Sequence, residues 1–146
     1  MTAEESERRI VVGVDGSESS IDALRSAARI AAALECPLEA ISVWAYPPVF
    51  EADPPVQWEL KEEAQRIVDS AGRAVFGAEV PVWFTATTRR GAPTRVLIEK
   101  SEGAEMLVLG SRGHGGFVGM LLGSVSTACV QHAKCPVLVV RHAPAD

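Results

Sequence analysis

Apolar and polar positions along the chain alternate between two periods. Short runs rich in β-branched residues read as strands: Ile10-Val11-Val12-Gly13-Val14, residues 38–43, 80–87 and 106–109, and Val137-Leu138-Val139-Val140. The first run is almost continuously apolar, as expected of a strand covered on both faces. Between the strands, apolar residues recur at three- and four-residue spacing. Ile21, Leu24, Ala28 and Ala31 predict a helix that follows the turn at residues 15–20 and runs to about Leu34, where Cys36-Pro37 stops it. Leu60, Ala64, Ile67 and Ala71 predict the inner face of a second helix over 57–71, with Glu59, Glu62, Glu63 and Arg66 on its solvated side. Gly91-Ala92-Pro93 opens a third, with proline near the first position, where its missing N–H costs little. That helix carries Val96, Leu97 and Ile98 and ends near Gly103, and a fourth is expected over 124–133.

The resulting order, β-α-β-α-β-α-β-α-β, contains no internal repeat and no linker. It implies an α/β fold of the doubly wound class, a parallel sheet with helices on both faces. The pattern alone leaves the strand order open. We expect a single domain over residues 1–146, with a core from about 9 to 141 and frayed tails at 1–9 and 143–146.

Composition narrows the function. The 146 residues are 47% hydrophobic, with 14 basic and 19 acidic side chains and a net charge of -5. That balance excludes wholesale disorder, and a chain of this size buries enough surface to fold without disulfides or metal. Mild acidity without a basic stripe argues against nucleic acid. It leaves a small anion open, because such a ligand answers to local amides. Cys36, Cys129 and Cys135 form no CxxC pair, which points to a reducing compartment. No signal-like segment opens the chain, and no apolar stretch reaches the ~18–20 residues that span a bilayer. A cytoplasmic protein without a membrane partner is expected.

In open α/β sheets ligands bind beyond the carboxyl ends of strands, where the strand order reverses. Two strand ends are unusual here. Asp15-Gly16-Ser17 follows the first strand, and the fourth is followed by a segment from Gly110 to Gly123 that holds six of the chain's 12 glycines. Glycine lets a ligand approach backbone amides closely, and Gly123-Ser124 falls where a helix starts, so free N–H groups and a positive dipole end converge. A phosphate there would accept amide bonds, with the Ser124 and Ser126 hydroxyls adding more. A surface loop with Ser124 as an ordinary N-cap is the alternative, and Asp15 reads equally as a turn residue or helix cap.

Rival motifs fail on the letters. A Walker A loop needs GK[ST], and Lys61, Lys100 and Lys134 all lie outside the segment. A GxGxxG starting at Gly113 meets Val118, and a GxSxG around Ser111 meets Leu109. Neither HExxH nor a cysteine–histidine zinc spacing occurs.

The segment reads G-x2-G-x9-G-S, from Gly110 and Gly113 to Gly123 and Ser124. It resembles the ATP-binding signature of the universal stress protein family. Val12-Gly13-Val14-Asp15-Gly16-Ser17, Gly91-Ala92-Pro93 and Cys135-Pro136-Val137-Leu138-Val139-Val140 resemble that family too, in the same order, over roughly residues 9–141. The resemblance implies a five-stranded Rossmann-like sheet in order 3-2-1-4-5 with an adenine-nucleotide site between strands one and four. It implies ATP with Mg²⁺ as ligand. By position, Asp15 would bond the ribose hydroxyls or sit near phosphate-bound Mg²⁺, and the Val43 backbone would read adenine. Leu109 and Gly110 would line the site, Gly113 would give its amide to phosphate, and Gly123, Ser124, Val125 and Ser126 would hold the rest of the triphosphate. Arg112 and His114 fall at variable positions of the signature. The resemblance also implies a homodimer through the last strand, Val137 to Val140. The function it suggests is a nucleotide-dependent regulator in stress adaptation. Hydrolysis would be slow at most, because no general base with an orienting partner is evident. A non-nucleotide dimeric interaction module and a small ATP-hydrolysing enzyme are the competing readings.

Overall fold

The computed structural model of the protein describes residues 8–45, 57–112 and 122–142. Alternation along the strands decides the architecture, because successive side chains leave a strand on opposite faces. In β1 (Ile10–Gly13), Ile10 and Val12 enter one hydrophobic cluster and Val11 enters another. The first cluster is closed by α1 (Glu18–Leu34) and α2 (Gln57–Phe76), which contribute Leu24, Ala27, Ala31, Val68 and Ala71. The second is closed by α3 (Pro93–Ser101) and α4 (Ser124–His132), through Val96, Leu97 and Cys129. Two cores on two sides of one sheet make the fold doubly wound.

The remaining strands are β2 (Leu38–Trp44), β3 (Phe84–Arg90), β4 (Met106–Gly110) and β5 (Val137–Val140). All pairings are parallel and the spatial order is β3-β2-β1-β4-β5, as the resemblance implied. The order reverses between β1 and β4, which places their carboxyl ends side by side.

The element boundaries differ from the sequence expectation in two places. α2 runs five residues beyond Ala71, because Phe76 has somewhere to go. Its ring meets Trp83 edge-on at 5.6 Å and Phe84 at 4.9 Å, and Gly77, with φ of +79°, then ends the helix. β3 begins at Phe84 rather than at residue 80. Pro81 has no N–H to donate, Val82 is fully exposed, and the Phe84 amide turns back to the Pro81 carbonyl at 3.1 Å. Pairing starts only where Phe84 comes level with Leu38, and it then continues through Arg90.

Candidate functional site

The β1–β4 mouth can be built from the register. Val12 pairs with Val108 and Gly13 with Ile41, so Asp15, two residues beyond Gly13, leaves the sheet at the end where β2 continues through Val43 and β4 to Gly110. Neighbouring strands lie ~4.8 Å apart, so the ends of β1, β2 and β4 stand side by side. Val43 and Leu109 both pack toward the α3–α4 core, which puts the apolar lining of the opening on that face.

On the β1 side the chain turns sharply. The Val14 amide still bonds the Ile41 carbonyl at 2.9 Å. Asp15 is exposed, and its Oδ1 accepts the Ser17 amide at 2.9 Å, an Asx turn. Ser17 then caps α1, its hydroxyl accepting the Ser20 amide at 3.2 Å. The turn-residue reading of Asp15 is therefore realised, in a place that leaves the carboxylate facing solvent.

On the β4 side three contacts join distant segments. The Ser111 amide donates to the Val140 carbonyl at 2.9 Å, and the Ser111 carbonyl accepts the Gly123 amide at 2.6 Å. The Ser126 hydroxyl donates to the Gly110 carbonyl at 2.6 Å. Together these bonds seat the start of α4 against the end of β4. Gly123 is the N-cap and supplies no side-chain cap, and the first turn of α4 holds no acidic residue. The first intrahelical amide is that of Thr127, bonded to the Gly123 carbonyl at 2.9 Å. The amides of Ser124, Val125 and Ser126 precede it and point out of the helix end, where the macrodipole is positive. Ser124 is exposed, Val125 half-buried and Ser126 buried.

The structure thus joins Gly110, Gly123 and Ser126 directly, with Ser124 and Val125 between them on α4, and the strand order puts Asp15, Val43 and Leu109 at the same end of the sheet. Gly113 and His114 lie outside the described residues. The Ser126 hydroxyl serves the Gly110 carbonyl, which leaves the Ser126 amide as its donor toward a ligand.

Two residues of this corner escaped the sequence reading. Ser19, buried in the first turn of α1, rests directly on β4: a Cβ on Gly110 would stand 2.7 Å from the Ser19 carbonyl oxygen. Its hydroxyl also lies 3.4 Å from the Arg112 amide. Ser111 is the buried junction between β5 and α4. A glycine closing a strand signals close approach of another backbone, and Gly110 carried that signal for Ser19.

Among the described residues no cluster of three metal-ligating side chains occurs, and no helix is long and apolar enough to cross a membrane. A densely ionic cluster lies near the other end of the sheet. There Glu39 accepts hydrogen bonds from Arg9 (3.0 Å), Thr87 (2.9 Å) and Lys100 (3.0 Å). Burial pushes the Glu39 carboxyl up, but the bonds from Lys100, Thr87 and Arg9 outweigh it and hold the group below its ordinary value.

Over residues 7–141 the sequence matches the Universal stress protein family. The chain belongs to that family. A universal stress protein of Mycobacterium tuberculosis is 36% identical over 133 residues, covering 90% of this chain and 44% of its own length. One from Mycolicibacterium smegmatis is 36% identical over 143 residues, covering 95% and 47%. The chain therefore spans a little under half the length of these curated relatives. Among solved structures, a universal stress protein in complex with cAMP superimposes with a TM-score of 0.70 at 28% identity, over 92% of this chain and 96% of that one. A universal stress protein from Lactobacillus plantarum gives 0.71 at 23% identity, over 92% and 98%, a likeness of fold.

Proposed function

We propose that this universal stress protein binds ATP, with Mg²⁺, at the β1–β4 mouth and acts as a nucleotide-dependent regulator in stress adaptation. The observation that carries the reading is the start of α4 on Gly123, without a side-chain cap or an acid in its first turn and seated on the end of β4 by Ser126 and Gly123. That donor set suits a polyphosphate. The half-buried Val43 and buried Leu109 offer an apolar wall for a base, and the Val43 main chain offers polar edges for adenine. Asp15 contributes a carboxylate, which suits ribose hydroxyls or a Mg²⁺ held mainly by phosphates and water. The solved relative with cAMP supports an adenine nucleotide as the ligand class.

β5 ends the sheet with four half-buried aliphatic residues, Val137 to Val140. An apolar edge of this kind favours pairing with a second copy, so the protein is a homodimer in this proposal. Free Cys36, Cys129 and Cys135 suit the reducing cytoplasm. Hydrolysis is slow at most, since the sequence supplies no general base with an orienting partner.

The test is calorimetric titration of the purified protein with ATP and Mg²⁺, beside the Ser124→Asp variant. A carboxylate at Ser124 stabilises the helix start but occupies the anion position. We expect affinity to fall at least tenfold, with no loss of melting temperature. Absence of binding in the wild type overturns the proposal, and unchanged affinity in Ser124→Asp removes α4 from the site.

A further inference from the structure

The second cluster of ionisable groups outside the mouth joins the carboxyl end of β5 to α1. His142, two residues beyond β5, meets two carboxylates of the first turns of α1. Its Nδ1 is in hydrogen-bonding contact with Asp22 Oδ2, and its Nε2 stands 3.2 Å from Glu18 Oε2. A neutral imidazole has one N–H and one lone pair, so it satisfies only one carboxylate and turns a lone pair on the other. An imidazolium donates to both.

We propose that His142 is a proton-operated clasp, closed in its charged form, that fastens the end of β5 to the start of α1. This inference is independent of the nucleotide reading. The charged groups facing the ring from α1 are Glu18 and Asp22, with Arg25 on the other oxygen of Asp22 at 3.6 Å. Its own segment adds Arg141. β4 carries no ionisable side chain, Arg112 being the next charge beyond it, and those of α4, Cys129 and His132, lie toward that helix's carboxyl end. The two segments joined by the clasp also hold the mouth. Val140 bonds Ser111, and Ser19 of α1 lies against Gly110 and the Arg112 amide.

The hydrogen bond that the ring donates to Asp22, with the charges of Asp22 and Glu18, raises the imidazole above its ordinary value. A raised folded-state value makes the contribution complete below the unfolded histidine value of ~6.5 and lost as pH rises through the folded one.

Two measurements on the full chain decide it. In an NMR titration the His142 ring should titrate above free histidine and fall back toward it in Asp22→Asn. Identical titration in both proteins overturns the clasp. In thermal melts the wild type should exceed His142→Gln by about 1–2 °C at pH 6, and the difference should vanish by pH 9. A difference that does not change with pH overturns it equally.

Discussion

Two helices begin at the same end of the sheet, one on each face, and their first turns are finished in opposite ways. α1 is closed by its own side chains: Ser17 accepts the Ser20 amide, Glu18 places a negative charge on the first turn, and the Ser20 hydroxyl returns to the Ser17 carbonyl at 2.9 Å. α4 begins on a glycine, without a side-chain cap and without an acid. One hydroxyl of its first turn, that of Ser126, reaches back to β4 instead of serving the helix. A helix start completed from within contributes to folding and offers little to a ligand. One whose donors face outward keeps a positive end available, and neighbouring segments must hold it in place. Here Ser111 and Ser126 do the holding.

The contrast can be broken most severely at the glycine on which both helices converge. Gly110→Val would press its side chain into the Ser19 backbone, which is not free to move while α1 is packed. We expect a loss of about 1–3 kcal/mol from overpacking, read by denaturant unfolding, together with loss of any ligand at the mouth.

Next comes the ionic cluster around Glu39, a polar group as fully paired as the start of α1. Lys100→Met removes bonds at 3.0 and 3.3 Å to the carboxylate and should cost about 1–2 kcal/mol at neutral pH, given that the lysine is partly exposed. Glu39 titrates low in the folded chain, so its stabilisation is present above the unfolded carboxylate value and disappears as pH falls through the folded one. The penalty of Lys100→Met should therefore shrink in unfolding experiments below pH ~4, and nucleotide affinity at the distant mouth should be unchanged.

The smallest effect tests the capped helix directly. Ser17→Ala should cost about 1 kcal/mol in unfolding while leaving affinity at α4 within a factor of about two, whereas Ser124→Asp should cost no stability and lower affinity at least tenfold. If removing the α1 cap weakened binding as strongly as filling α4, the division between the two helix starts would be wrong.

Much of this was legible in the letters, for identifiable reasons. Period and punctuation located all nine elements, because each core residue has to repeat at the spacing of its element: Leu24, Ala28 and Ala31 on α1, and Ala64 and Ala71 on α2, lie where the pattern put them. The ends were less legible. Val80 and Val82 look like strand residues, but no partner strand lies level with them, and pairing is a property of two segments. At the mouth, glycine spacing and the position of Ser124 marked the start of α4. The supports, Ser19 and Ser111, were hidden because a serine has no local signature when its partner is some ninety residues away or is a main-chain carbonyl of another strand.

The bond from Ser111 to Val140 has a mechanical corollary. β5 has two sides, and the last carbonyl on its inner side is tethered to the residue that also anchors the cap of α4. Any molecule that lays a strand along the outer side and straightens or twists β5 would transmit that strain, through two hydrogen bonds, to the amides of the first α4 turn. Assembly and ligand affinity would then share one hinge, with Ser111 as its pin.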